Sequence, residues 1–442
     1  MLVSFTVENV LSFKKRTTFS MVASREKQHL ERLPHLQGYM RLLPVAAIYG
    51  GNASGKTNFF KAINFARHTV VSGSQPDARI PVEPFKLDEE CRSHPSTFTF
   101  EFFVEEKCYE YGFSLTSRGV VEEWLIEILK TTEKELFRRK GDSIDFSGAL
   151  AKDKALGFLF QGTRDNQLFL TNAVSQKNKR FRPLYLWFRD SLVLVAPDSR
   201  FEPFDLFIRQ DSPLHELMND ALNRLDTGVS RLGGEKIPFE NLPLPSDLLT
   251  RIKEDLLSGR VMRLRVDQTG DRYVLTIQDG EVQAEKLVSY HLDSHNREVK
   301  FELRNESDGT LRIIDLLPLF LSTSNSAAQR VYIIDELDRS LHTLLTRQLL
   351  ETYLSGCSEE SRSQLLFTNH DVLLMDQDLL RRDEMWVVER DRQGSSELIS
   401  FSEYKEVRND KDIRKSYLQG RLGGVPRILV SGASDSLCRG AH

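Results

Sequence analysis

The stretch GGNASGKT, residues 50–57, follows the continuous apolar run LLPVAAIYG (42–50) and opens KTNFFKAINFARHTV (56–70), where Phe59, Phe60, Ile63 and Phe65 fall near one side of a helix. A buried parallel strand, a glycine-rich turn and an amphipathic helix in that order are the context that the pattern GxxxxGK[ST] requires. Gly50, Gly55, Lys56 and Thr57 stand at its fixed positions. Glycines let backbone amides wrap phosphates, and the helix N-terminus adds a favourable dipole. Lys56 then reaches the β- and γ-phosphates, and Thr57 offers its hydroxyl to a magnesium ion. Asn52, Ser54 and Asn58 complete the residues expected to touch the nucleotide. The stretch therefore predicts a site for ATP and Mg2+ on an α/β core.

Three later segments bear on that site. VYIIDELDRSLH (331–342) is four apolar residues and then two carboxylates. Alone it reads equally well as a strand closing in an acidic turn. With the phosphate loop upstream, Asp335 is expected to hold the metal through water and Glu336 to point at the γ-phosphate. QLLFTNHD (364–371) is a further strand, delivering His370 to the same sheet edge, where an imidazole can bond the γ-phosphate and the attacking water. FELRNESDGTLRIIDLLPLF (301–320) passes from a strand-like run through the polar knot Ser307, Asp308, Gly309, Thr310 into an apolar stripe at helical spacing. By itself the knot is a turn that caps a helix.

Elsewhere the chain alternates β-rich and irregular regions. Residues 2–10, LVSFTVENV, have the alternation of a half-buried strand, and TFTFEFFV (97–104) with CYEYGFSLT (108–116) reads as an antiparallel hairpin. The region from about 120 to 260 mixes helical patterns with Pro-rich connectors. SPLHELMNDALNRLD (212–226) places Ser212 as a cap, Pro213 at the first helical position and Leu214, Leu217, Leu222 and Leu225 as a stripe. From 262 strands return, and after 311 apolar helices alternate with short strands, which implies a parallel α/β core. The expected organisation is an N-terminal lobe over 1–120, a mainly helical insertion over 121–260 and a C-terminal lobe over 261–442.

Composition narrows the function classes. At 442 residues with 40% hydrophobic and 28% charged content, the chain has enough material for a large core with an appended unit. A net charge of -4 gives no global nucleic-acid signal, although QKNKRFR (176–182) and RVMRLR (260–265) are local basic clusters. Cys91, Cys108, Cys357 and Cys438 form no CxxC pair, so a disulfide framework or zinc knuckle is not indicated. No signal peptide or membrane span is read, and a cytoplasmic location is expected. His291 and His295 in HLDSH lie in a strand-and-turn pattern, where four-residue spacing does not set up a metal site.

The order of phosphate loop, polar knot, DE strand end and His strand end resembles the ABC-type ATPases, in the branch holding SMC-like, RecF-like and OLD-family proteins. The similarity is strongest to the groups called AAA-fifteen and AAA-twenty-one, found in abortive-infection and other anti-phage operons. VENVLSFKK (7–15), ESDGTLRIIDLLP (306–318), RRDEMWVVERD (381–391) and VRNDKDIRKSYLQGRLGGVP (407–426) carry it outside the Walker elements. The resemblance implies an ABC-type head with a mixed sheet, an antiparallel β subdomain and an inserted mainly helical region. It implies that Ser307 and the amides near Gly309 form a signature offered to the γ-phosphate of a second protomer, with Asp308 standing where the commonest form has glycine. Asp338 then matches the D-loop at the dimer interface, although an ordinary aspartate capping the helix from 340 onward reads nearly as well. The expected assembly is a homodimer or higher oligomer around an ATP sandwich, controlling a separate effector, a nuclease or a toxin. A RecF-like or SMC-like repair ATPase that engages DNA directly is the alternative. RILVSGASD (427–435) has Ser431 where a TOPRIM nuclease needs a glutamate, so the nuclease of OLD relatives is not expected here.

Overall fold

The computed structural model describes residues 1–36, 40–197, 207–208, 213–256, 262–266, 270–278, 280–322, 329–404 and 413–424. Ser212 and the 427–435 segment lie outside them. The chain opens with β1 (Leu2–Glu8) and β2 (Thr17–Ser20), enters the core as β3 (Val45–Tyr49) and continues into α1 (Lys56–Ser72). After the short α2 (Glu89–Ser93) comes a meander of β4 (Ser96–Val104), β5 (Lys107–Leu115), β6 (Val120–Ile128), β7 (Glu133–Lys140) and β8 (Ser143–Phe146). Helices α3 (Lys154–Gln161), α4 (Phe169–Ser175) and α5 (Arg182–Leu186) lead to β9 (Leu192–Val195). Then follow α6 (Pro213–Arg224), β10 (Arg231–Ile237), α7 (Ser246–Leu256), β11 (Met262–Val266), β12 (Asp271–Gln278), β13 (Glu281–Leu292) and β14 (Glu298–Glu302). The chain closes with α8 (Asp308–Ser322), β15 (Val331–Ile334), α9 (Thr343–Ser355), β16 (Gln364–Thr368), β17 (Met385–Arg390), β18 (Ser396–Ser400) and α10 (Ile413–Leu418).

These strands form three sheets. The core sheet runs β18-β17-β3-β16-β15-β9, all parallel except the edge strand β18. Every residue of β3, β15 and β16 is buried, as expected of parallel strands covered on both faces. An antiparallel sheet, β2-β1-β4-β5-β6-β7-β8, packs against α1 through aromatic side chains. Phe59 of α1 sits in an edge-on cluster with Phe5 and Phe19, ring centroids 5.6 and 5.5 Å apart. The third sheet, β10-β13-β12-β11 with β14 paired to β13, is also antiparallel. Among the described residues no helix is long and apolar enough to cross a membrane.

Several expectations change. Strand β1 is buried along nearly its whole length rather than on one face, because Ser4 and Thr6 satisfy their hydroxyls against Glu101 and Thr18 on neighbouring strands. The 121–260 stretch carries helices α3 to α7 together with strands that belong to the three sheets. Its first strands, β6 to β8, extend the first antiparallel sheet, β9 is an edge strand of the core, and β10 belongs to the third sheet. In α6 the buried residues are Met218 and Leu222, with Leu225 just beyond its end, while Leu217 is 51% exposed; the Leu214 side chain lies outside the described residues.

Two buried polar links tie the layers together. The fully buried Gln364 of β16 donates to Leu2 O (3.0 Å) and Leu43 O (3.2 Å) and accepts from Leu2 N (2.6 Å), tying the first antiparallel sheet to the core. Arg272 of β12 pairs with Asp315 of α8 at 2.7 Å, with side-chain exposures of 1% and 6%. Removing one member of such a pair strands a buried charge. Asp315→Ala should therefore destabilise the protein by about 3–5 kcal/mol, and Arg272→Met combined with Asp315→Leu should recover most of that loss. Urea denaturation of the single and double variants measures both.

Candidate active site

The phosphate loop bridges β3 and α1 with backbone that only glycine tolerates at two points. Gly50 has φ +153° and Gly55 +119°, with Ala53 at +59° between them. A Cβ on Gly50 would lie 2.6 Å from Ser54 Oγ and 2.7 Å from Val388 O, and one on Gly55 would meet Ser12 Oγ at 2.8 Å and Ser396 Oγ closer still. The loop is thus wedged between the 10–13 turn and the start of β18. Ser396 completes the brace, its hydroxyl donating to Ser54 O at 2.6 Å and its amide to Ser12 O at 2.7 Å.

Lys56 Nζ donates to Gly50 O at 2.7 Å and Gly51 O at 3.2 Å. Burial pulls its pKa down to about 8, against the opposing pull of Asp335, Asp338 and Glu336. Thr57 and Asn52 are exposed and Asn58 is half-buried, so the loop opens to solvent at the first turn of α1.

Because β3, β15 and β16 are parallel neighbours, their C-terminal ends emerge at one edge, and with them the phosphate loop, Asp335, Glu336 and His370. Thr368, the last residue of β16, joins the two carboxylate residues: its hydroxyl donates to Asp335 Oδ1 at 2.6 Å and accepts from Glu336 N at 2.8 Å. Asp335 is 1% exposed, and its Oδ2 is buried without a hydrogen-bond partner. Glu336 has φ +53°, a left-handed conformation that costs a non-glycine residue about 1–2 kcal/mol, and its half-exposed carboxylate has Arg339 4.0 Å away. His370 is exposed at the end of the strand. Its amide and that of Asp371 both donate to Asp338 Oδ2, at 3.0 and 3.1 Å. Asp338 therefore fixes the His370 turn within its own chain.

Ser307 caps α8. Its Oγ accepts from Thr310 N at 3.1 Å and lies 2.9 Å from Thr310 Oγ1. Asp308 is the first helical residue and is exposed, so the capping oxygen comes from Ser307 and the carboxylate is left to solvent. A Cβ on Gly309 would lie 2.8 Å from Ser340 O, so glycine lets the start of α8 press against the turn that follows Glu336. The polar knot is thereby packed on the DE strand-end turn rather than on the phosphate loop.

The residues present suit Mg2+: an orphaned, buried carboxylate oxygen on Asp335 and the open hydroxyl of Thr57 are the hard oxygen donors this ion takes with phosphate and water. Elsewhere, His291 bonds Glu306 at 2.7 Å and His295 lies 3.1 Å from the Ser294 hydroxyl, and among the described residues no group of three His, Cys, Asp or Glu side chains could hold a metal. Sequence reasoning missed Thr368 and the bracing serines Ser12 and Ser396. Thr368 stood inside QLLFTNHD, and its place as the last strand residue was the available signal; the two serines are remote in sequence and carried none.

Residues 45–376 match the family AAA_21, described as "AAA domain, putative AbiEii toxin, Type IV TA system". The chain belongs to the AAA_21 family. No curated protein matches it. Among solved structures, the SMC head domain from Thermotoga maritima has 12% identity and a TM-score of 0.36, covering 90% of this chain and 98% of that one. An SMC head bound to the C-winged helix domain of ScpA has 13% identity and a TM-score of 0.42, covering 90% and 97%.

In this AAA_21 member the depressed Lys56 pKa yields a testable pH dependence. Polyphosphate beside the ammonium raises its pKa, so above about 8 binding takes up a proton and affinity falls as pH rises. Titration with a non-hydrolysable ATP analogue from neutral to alkaline pH should show affinity constant below this value and weakening above it, by up to about tenfold per pH unit. Lys56→Met should bind more weakly and lose that slope.

Proposed function

We propose that this AAA_21 protein hydrolyses ATP to ADP and phosphate, with two copies closing around two ATP molecules and opening after hydrolysis. The observation that carries the reading is the meeting of Lys56, Asp335, Glu336 and His370 at one edge of a parallel sheet, with a buried Asp335 oxygen left for a ligand. Lys56 leaves the carbonyls of Gly50 and Gly51 for the β- and γ-phosphates and offsets charge on the transferring group. Thr57 and Asp335 hold the Mg2+. The ion, when bound, neutralises the phosphate oxygens and fixes their orientation. Glu336 orients and polarises the attacking water, and His370 senses the γ-phosphate. Gly50, Asn52, Ser54, Gly55 and Asn58 supply loop contacts, and Ser307 with the amides near Gly309 meets the γ-phosphate of the second copy.

The same proposal extends to role. The family description names a putative toxin and a toxin–antitoxin system, which supports a sensor and scaffold in anti-phage defence that holds a separate nuclease or toxin in check. The net charge of -4 argues against a broad basic clamp for DNA.

Glu336→Gln keeps the hydrogen-bonding shape and removes the charge that activates water. It should bind ATP normally, accumulate as a closed dimer by light scattering and lose at least about 100-fold in phosphate release. Normal turnover by that variant would remove Glu336 from its role. For the cellular role, DNA binding is measured across salt concentrations with and without ATP, alongside co-purification with neighbouring gene products. The defence reading predicts a bound partner protein and ATP-independent, weak DNA binding; ATP-strengthened DNA binding with no partner favours the repair alternative.

A further inference from the structure

Helix α1 spans 17 residues, so its C-terminal end lies about 25 Å from Lys56 along the helix axis. There three loops, at 73–79, 116–119 and 163–166, enclose a cleft of about 460 Å3. Asp77, Arg79, Arg118, Arg164, Asp165 and Asn166 are among its lining residues.

The cleft is held by bonds that leave its charged groups without ion pairs among the described residues. Asn166, 9% exposed, donates through Nδ2 to Gln75 O and Ala78 O, both at 2.9 Å, and accepts from Ser74 Oγ at 3.1 Å. Ile80 N donates to Ser117 O at 3.0 Å and Val120 N to Asp165 O at 2.8 Å, so all three loops are pinned through their backbones. Arg164 donates one Nη2 bond to Ser74 O at 2.6 Å. Among the described residues, none of Arg79, Arg118 and Arg164 forms an ion pair, even with the two aspartates of the same cleft. Other surface arginines do find carboxylates: Arg138 pairs with Glu122 and Glu135, and Arg231 with Glu298. Three arginines thus line one open cleft without carboxylate partners, and the guanidinium fork matches phosphate oxygens.

We propose that this cleft binds a phosphate ester of the nucleotide class, at a site separate from the phosphate loop. Arg79, Arg118 and Arg164 take the phosphate. Asp77 and Asp165 repel a bare anion, and they accept hydrogen bonds from the ribose hydroxyls or base amino groups that a nucleotide carries and inorganic phosphate lacks. The volume lies in the range of about 300–1,000 Å3 usual for small-ligand pockets. A free nucleotide and the phosphorylated end of an RNA strand present the same chemistry here, and the test separates them.

The full-length Lys56→Ala protein serves as background, so that the phosphate loop contributes little. Calorimetry with AMP and inorganic phosphate, and anisotropy with a 5′-phosphorylated single-stranded RNA, are run at two salt concentrations. AMP or the RNA should bind more tightly than inorganic phosphate, and Arg118→Glu and Arg79→Glu should each weaken that binding by about tenfold or more. Both arginines are exposed, so thermal melts of the variants should match the parent. Asp77→Asn with Asp165→Asn should tighten inorganic phosphate and weaken AMP. Saturation by AMP identifies a free nucleotide as ligand, and binding of the RNA alone identifies a strand end. Absence of binding by all three probes, or binding indifferent to both charge reversals, overturns the proposal. ATP hydrolysis is not the readout, so failure here leaves the ATPase reading intact.

Discussion

The parallel register of β3, β16 and β15 is the constraint on which the candidate site depends. Ile48 of β3 pairs with Thr368 of β16, and Phe367 pairs with Ile334 of β15, so three strands distant in sequence finish level with one another. Their interiors are buried and, apart from the Tyr332 hydroxyl, apolar, which concentrates polar chemistry at the ends. The Thr368 hydroxyl then converts alignment into geometry, bonding Asp335 on one side and the Glu336 amide on the other. With the Thr368 hydroxyl removed, the Asp335 carboxylate would have no hydrogen bond among the described residues to orient it, and Glu336 would lose the bond that supports its left-handed backbone.

Charge is arranged at this edge in a way that folding alone does not favour. Lys56 is desolvated enough to lower its pKa, Asp335 carries a buried oxygen without a partner, and Ser54 and Ser12 keep buried hydroxyls without partners beside the loop. Each is unfavourable in the empty fold, because buried polar groups are normally satisfied. The burial of the β3, β15 and β16 interiors and the aromatic cluster on α1 offset that expense. A polyphosphate with its metal would satisfy several of these groups together, which is the physical sense in which the site is built for a ligand.

What the sequence disclosed follows from how local each signal was. The phosphate loop, the DE strand end and the His370 strand end are each contiguous and were readable, as was the β4–β5 hairpin, whose turn places Glu105 and Glu106 at positive φ. The strands after 120 went unread among the helical patterns because several lack the usual signals. β7, EKELFRRK, is rich in charge, yet Arg139 is 1% exposed, within 3.9 Å of the fully buried Glu123. β9 has four residues, too short to distinguish from a loop or helix fragment by periodicity. β10 contains Gly233 and Gly234, residues that weaken a strand signal; in the fold Gly234 admits Ile208, whose Cγ2 would lie 2.7 Å from an added Cβ.

The third sheet shows how such distant segments become mechanically joined to the site. Glu306, immediately before Ser307, has a carboxylate 6% exposed that accepts from Ser289 Oγ at 2.5 Å and lies 2.7 Å from His291 Nε2, both on β13. Arg272 of the adjacent β12 grips α8 again at Asp315, two turns along. The helix capped by Ser307 is therefore tied to one sheet both just before its start and at Asp315, and its first turn presses through Gly309 on Ser340, four residues beyond Glu336. Buried polar bridges of this kind have narrow geometry, so they transmit displacement better than an apolar contact that can slide. These bonds connect β12 and β13 to the segment around Ser307, and Gly309 connects that segment to the turn after Glu336.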